Sequence, residues 1–346
     1  MKLTSVPENL LERLALWLGI APTPISDTHV AFMMARTIMV AAKAGIFEAL
    51  AKPTTAAQVA NACHTDLKAT IKILNSLVHL GYVKLNPQQQ YELTSLSRKW
   101  MLRESKNSVY DKMMLQFVEW KLVEHYENYL HSGQPADMHQ VLTEGEWGVY
   151  QKGMRAMAQV SASEVARRTP IPKGATTFLD VGGSHGYYSV SICRKHPQLQ
   201  AIILDLPEAI RHAGSLLQEE NMQDRVKHRV GNVLEYDLGE AQWDVIFISS
   251  LVHHFDGPTN EQLAARIHRA LRPGGYYVIQ EYVRSDKPRA GDHLALLDLY
   301  FAATSQSGTW SEKEMRGWQQ QAGLKPYKTI WLRSIPRHAQ VVARKA

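Results

Sequence analysis

Three short stretches of the 346-residue chain carry residue types that can bind and activate a small molecule. The first, FLDVGGSHGYYSV, sets Gly182, Gly183 and Gly186 between an apolar run and a helical one. A glycine-rich turn lets the backbone approach a ligand closely, and the helix that follows offers free N–H donors. The second is Asp205, nineteen residues beyond Gly186, at the end of a second apolar run. A carboxylate there can accept hydrogen bonds from both hydroxyls of a ribose. The third is the pair His253 and His254, just past the run WDVIFIS, where an open α/β sheet binds its ligands. A neutral imidazole in that place can take a proton from a hydroxyl nucleophile. Adjacent histidines in an extended segment point apart, so no metal site is expected from the two.

The first two stretches together imply a nucleoside-bearing cofactor. The dinucleotide pattern G-x-G-x-x-G is not met from Gly182 or Gly183, and Asp180 at the strand end would sit against a pyrophosphate. An acid two residues before the first glycine suits a cationic amino-acid group instead. S-adenosyl-L-methionine has an ammonium, a sulfonium and a ribose for Asp205, and it is the expected cofactor in preference to NAD.

The elements that must position these residues are legible after Pro170 and Pro172. Short apolar runs (TTFLDV, QAIILDL, VKHRVGNV, WDVIFIS, GYYVIQEY) alternate with helical patterns, which predicts a doubly wound α/β domain with buried parallel strands. The last two runs, TIWLRS and AQVVARK, fit a closing hairpin. Residues 106 to 170 read as a helical layer rich in Met, Trp and Tyr, among them Trp147, Tyr150 and Met154. Such residues at helical spacing mostly fill cores, and some of them can line an aromatic substrate pocket.

The first hundred residues read as helices and one hairpin. Residues 30 to 50 are apolar almost all round, as in a helix buried on most sides or set against a second subunit. Thr55 and Asp66 are helix caps, and Gly81 ends the second of these helices, at about Leu80. GYVKLNPQQQYELT, with Tyr82 and Lys84 before an Asn-Pro turn and Tyr91 and Leu93 after it, is a two-stranded wing. That order is a winged helix. Its candidate recognition helix holds only Lys68 and Lys72, too few cations for a duplex whose phosphates dominate affinity, so a second subunit is the expected partner rather than nucleic acid.

Composition agrees with this outline and adds exclusions. With 39 basic and 33 acidic residues the formal charge is +6, spread without a basic block, and 45% of residues are apolar. Disordered and fibrous classes are excluded. Cys63 and Cys193 are too few and too far apart for a disulfide framework, which fits a reducing, cytoplasmic setting. No apolar run is long enough to span a membrane, and the stretch Leu14 to Ala21, preceded by Glu8 and Glu12, reads as a short amphipathic helix rather than a signal peptide.

Taken in order, DVGGSHG, ILDLP, HHFD, RALRPGG and VIQE resemble the class I S-adenosylmethionine-dependent small-molecule O-methyltransferases of the caffeic acid and hydroxyindole type. GIFEAL and LNSLVHLGYV resemble that family's winged-helix dimerisation domain, so the likeness covers nearly the whole chain. It implies a Rossmann-like doubly wound sheet over residues 106–346 and a winged-helix-like dimerisation domain over residues 1–105. It also implies that Asp180, Gly182, Gly183, Ser184 and Gly186 form the cofactor loop, with Asp205 and Leu206 at the ribose and Asn232 and Val233 at the adenine. Ser249 falls where plant members carry a lysine. By the same likeness His253 is the base, Glu281 the carboxylate that orients it, and Tyr150, Met154 and His254 line the acceptor site.

The chain departs from that pattern at four further places. Ser184 replaces a third glycine, Asn232 an aspartate, and His254 an aspartate beside the base. Near Thr309 and Trp310 the second carboxylate that brackets the histidine is missing. The expected activity is methyl transfer to a hydroxyl of a small aromatic metabolite by a homodimer. Two alternatives are a relative that uses the cofactor electrostatically, as a hydroxylase, decarboxylase or cyclase, and a ligand-sensing winged-helix regulator.

Overall fold

The computed structural model describes residues 6–287, 292 and 294–346, and the chain divides into two compact units, Met1–Phe117 and Val118–Ala346. Within the first unit the apolar stretch at 30 to 50 forms the helix Ala31–Lys43 and a turn of helix Ile46–Ala49, separated by Gly45 at φ 80°. Thr55 caps the helix Ala56–Cys63 through a reciprocal pair of bonds with Gln58, and Asp66 caps Leu67–His79 by accepting from the N–H of Ala69. Each such cap is worth about 1 kcal/mol. Gly81, at φ 77°, turns the chain into strand β1 (Val83–Leu85), which pairs antiparallel with β2 (Tyr91–Leu93).

Val83 lies opposite Leu93, and both are buried with Tyr91, while Lys84 faces solvent and pairs with Glu92 at 2.9 Å. The inward residue of the first wing strand is therefore Val83. Phe47, Leu50, Leu74 and Leu77 are fully buried and form the centre of this unit. Burial covers only one side of the helix Ala31–Lys43: Phe32, Met33 and Val40 stay exposed, and Leu10–Trp17 buries none of its residues.

Among the described residues, the second unit holds an eight-stranded sheet. Its strands are β3 (Thr177–Val181), β4 (Gln200–Asp205), β5 (Val226–Val230), β6 (Trp243–Ser249), β7 (Leu271–Arg284), β8 (Trp310–Ser311), β9 (Lys325–Trp331) and β10 (His338–Arg344). The order is β5-β4-β3-β6-β7-β10-β9, with β8 on the far end of β7. Strands β3 to β7 run parallel, and β10 is antiparallel to both β7 and β9, so the last two runs do close the sheet as a hairpin.

Residue parity explains why the strands are apolar without alternation. Leu179, Val181, Ile246, Ile248, Ile279 and Val341 pack into one core, and Phe178, Val245, Phe247, Val278 and Val342 into another on the opposite face. Both faces are covered by helices, so both sets gain from burial, at about 1.5–3 kcal/mol per large side chain. The strand order reverses direction at β3, where its helix leaves one way and that of β6 the other. Ligands in such sheets bind outside the carboxyl ends of those strands.

Candidate active site

At that point β3 runs out into Gly182, at φ 67°, where an added Cβ would meet the side chain of Leu251 within 3 Å. A Cβ on Gly183 would collide with the carboxyl of Asp180, and Gly186, at φ 73°, caps the helix Tyr187–Lys195 against Ile203. The turn is thus as close to its surroundings as a backbone can be. Ser184 adopts φ 52°, the left-handed region that a third glycine would occupy without strain. Its N–H donates to Asp205 Oδ2 at 2.8 Å, its carbonyl meets His228 Nε2 at 2.8 Å, and its hydroxyl donates to Gln151 Oε1.

The two acids of this region differ in setting. Asp180 is buried beneath the loop, with Oδ2 accepting from the hydroxyl of Ser189 at 2.5 Å and Oδ1 unpartnered among the described residues. Burial pushes its carboxyl up to about 7, against the lowering effect of Ser189 and with a smaller push from Asp205. Asp205 stands at the end of β4 and accepts from the N–H groups of Leu206 and Ser184. Burial pushes it up to about 6 in spite of those two donors. Among the described residues neither acid makes an ion pair, which leaves a site able to take a cation.

A cleft of about 240 Å³ opens here, lined by Trp147, Tyr150, Gln151, Gly182, Ser184, Asp205, Leu206, Asn232, Val233, Ser250, Leu251, His254 and Phe255, among others. It brings together eight of the residues that the sequence marks for cofactor or acceptor. Asn232 turns its Oδ1 to the N–H of Leu234 at 3.0 Å, fixing the bend after β5. Five marked residues lie outside the lining: Asp180, Gly183 and Gly186 behind the loop, Met154 half-buried on the helix Glu144–Arg168, and Ser249. The hydroxyl of Ser249 instead accepts from Gln280 Nε2 at 3.0 Å, inside the sheet.

Trp147 and Gln151 line the cleft without having been singled out as ligand contacts. With Tyr150 and Met154 they follow i, i+3, i+4, i+7, a single helical face, and that spacing was the available signal. Trp147 meets Tyr150 edge to face at 5.9 Å. The Tyr150 phenol is held well above its ordinary value, chiefly by burial and further by Asp205 and Glu119, so it is neutral at physiological pH.

Beside the cleft, Val252–His254 form a turn of 3-10 helix. The carbonyl of Val252 accepts from Asn260 Nδ2 and Trp310 Nε1, both at 3.0 Å, and that of His253 from the hydroxyls of Ser305 and Ser307. This tight turn overturns the expectation that the two imidazoles point apart: their centroids are 4.4 Å apart. His253 is 3% exposed, stacks on Phe301 at 3.8 Å and 7°, and sets Nδ1 2.9 Å from Oε2 of the fully buried Glu281. Glu281 Oε1 in turn accepts from the N–H of Tyr282. An acceptor-only carboxylate at Nδ1 places the proton there and leaves Nε2 as the basic nitrogen. Thr309 is bound by a carboxylate, Asp298 Oδ1, which accepts from both its N–H and its hydroxyl, while the acid on His253 is Glu281.

The sequence family described as O-methyltransferase domain matches residues 131–325. The chain belongs to the O-methyltransferase family. A second description, O-methyltransferase dimerisation domain, matches residues 27–103. A 3-hydroxy-5-methyl-1-naphthoate 3-O-methyltransferase of Streptomyces sahachiroi is 24% identical over 195 residues, 56% of this chain and 56% of its own length. The tetracenomycin polyketide synthesis 8-O-methyl transferase TcmO of Streptomyces glaucescens is 30% identical over 155 residues, 44% of this chain and 45% of its own. The chain thus spans about half the length of these curated relatives. In fold, this O-methyltransferase family member is similar to human N-acetylserotonin methyltransferase in complex with SAM (TM-score 0.84, 18% identity, 99% of each chain). It is also similar to the mitomycin 7-O-methyltransferase MmcR (TM-score 0.79, 20% identity, 96% of this chain and 100% of that one).

Proposed function

We propose that the protein transfers a methyl group from S-adenosyl-L-methionine to a hydroxyl of a small aromatic metabolite. The observation that carries this reading is the His253 Nδ1 to Glu281 Oε2 bond of 2.9 Å beside a cleft that already contains Asp205 and the glycine loop. The donor set suits that cofactor: a close-approach loop at Gly182 and Gly183, a carboxylate at Asp205 for ribose hydroxyls, and two acids that have no cation of their own among the described residues. Asn232, Val233 and Leu206 would hold the nucleoside end. When bound, the cofactor supplies an electrophilic methyl group on a sulfonium.

The chain's own residues then supply position and a proton path. Trp147, Tyr150 and Phe255 give the cleft apolar walls that exclude water and suit an aromatic ring. Holding the reacting atoms in line can supply about 7–11 kcal/mol of the barrier. His253 Nε2 accepts the proton of the acceptor hydroxyl, and Glu281 steadies the imidazolium, adding about 10² to 10⁴ in rate. The names of the Streptomyces relatives, which act on naphthoate and tetracenomycin frameworks, support an aromatic acceptor.

We assign residues 1–105 to pairing with a second copy and 106–346 to catalysis. The exposed Phe32, Met33 and Val40 lie within the stretch that matches a dimerisation domain, and a partner helix would cover them. Among the described residues no helix is long and apolar enough to cross a membrane, and both cysteines are free thiols, which supports a cytoplasmic setting.

Incubation with methyl-labelled S-adenosylmethionine and a panel of phenols, read by mass spectrometry, tests the proposal. Labelled product with one S-adenosylhomocysteine released per turnover is expected. An altered acceptor with the cofactor unconsumed would favour the electrostatic alternative.

A further inference from the structure

Gln151 is fully buried on the helix Glu144–Arg168, yet it borders the cleft. One end of its carboxamide is engaged, because Oε1 accepts from the hydroxyl of Ser184. The other end, Nε2, has no hydrogen-bond partner among the described residues. A buried amide nitrogen with two donors and no acceptor is rare in folded proteins, and its usual explanation is a ligand or an ordered water. The position narrows the choice. Ser184, which holds Gln151, is the residue whose N–H is bound by Asp205, so the amide stands at the glycine loop, away from Asn232 and Val233 after β5.

The unpartnered group is a donor, so it requires an acceptor. Of the groups on S-adenosylmethionine, the ammonium and sulfonium are cations, and the ribose hydroxyls suit Asp205. The strongest acceptor is the carboxylate of the amino-acid end. The cation next along the same helical face, Arg155, is bound to Glu219 and Glu220. A neutral donor is then what the loop can offer an anion. We infer that Gln151, held in place by the Ser184 hydroxyl, binds the amino-acid carboxylate of the cofactor through Nε2. This inference rests on the cofactor assigned above. It also gives Ser184 a use, since a glycine at that position could not hold the amide.

Calorimetric binding of two ligands tests it: S-adenosylhomocysteine, which has the amino-acid group, and 5′-methylthioadenosine, which lacks it. The wild-type chain should bind both; if it binds neither, the cofactor assignment fails whatever Gln151 does. Gln151→Met, which keeps the buried volume, should weaken S-adenosylhomocysteine about tenfold or more, the worth of a hydrogen bond to a charged group, and leave methylthioadenosine within about twofold. Gln151→Ala should do the same, and the Met variant decides where melting shows that the Ala variant is unfolded. Equal weakening of both ligands would assign Gln151 to loop structure or the ribose, and unchanged affinities would assign Nε2 to a water. Either result overturns the inference.

Discussion

His253 and Glu281 are both almost wholly buried, yet they come from elements 28 residues apart and meet at 2.9 Å. Glu281 is fixed at the end of β7, in register with Ala339 on β10, while His253 sits on a 3-10 turn clamped by Asn260, Trp310, Ser305 and Ser307. Neither group needs to move to form the pair. The imidazole is therefore held in one tautomer before any acceptor arrives, which is the condition for a general base of fixed direction.

Replacing the two partners separates their roles. His253→Ala should keep cofactor affinity and lower methyl transfer at least a hundredfold. Glu281→Gln, which can present the wrong partner to Nδ1, should lower turnover by about 10² or more with little change in cofactor affinity. Steady-state rates with a saturating phenol and calorimetric cofactor binding check both.

Cofactor affinity should depend on pH through Asp180 and Asp205. Burial raises these groups to about 7 and about 6, so below pH 6 both are largely protonated in the empty site. A cationic ligand favours their ionised forms, so binding releases protons and tightens as pH rises from about 5.5 to 8. Titration calorimetry in buffers of different ionisation enthalpy at pH 6.5 should show net proton release, and an Asp180→Asn variant should lose part of it.

Gly183 tests how closely the loop is packed. A Cβ there meets the carboxyl of Asp180, which is buried and tied to Ser189. Gly183→Ala should destabilise the fold by about 1–3 kcal/mol, as overpacking of a rigid site does, and thermal melting measures it. Gly214→Ala, on a helix with open space around it, should not.

His338 gives a stability prediction of opposite sign. It is buried against Tyr282 with both ring nitrogens unpartnered among the described residues, and burial lowers it to about 4, with Glu281 opposing. Its folded value lies below the unfolded one, near 6.5, so the unfolded chain binds the extra proton and stability is lost as pH falls from about 6.5 towards 4. His338→Leu should be close to neutral at pH 8 and more stable than the parent by up to about 3 kcal/mol near pH 4. Denaturant titrations at the two pH values compare them.

What the sequence disclosed was decided locally. The glycine loop, the acid at the end of β4 and the capped helices of the first unit each depend on a few neighbouring residues, and each reads directly from their order. The orientation of His253 against His254 did not, because the 3-10 turn is fixed by Asn260, Ser305 and Trp310 from elsewhere in the chain. Gln151 went unmarked for another reason: a glutamine carries no sign of burial in its own type, and only the cleft shows that it shares a lining face with Trp147 and Tyr150. Near Thr309 the local pattern shows no acid, and the one that binds Thr309, Asp298, lies eleven residues upstream.

The placing of β10 bears on how the protein is made. This strand lies between β7 and β9, so the edge of β7 that carries Glu281 has no neighbour until residues 338–344 arrive. During synthesis on the ribosome, the glycine loop and the first four parallel strands can assemble long before that. The histidine's carboxylate partner is thus anchored last, and a nascent chain halted before His338 would expose an apolar strand edge of the kind that recruits other chains.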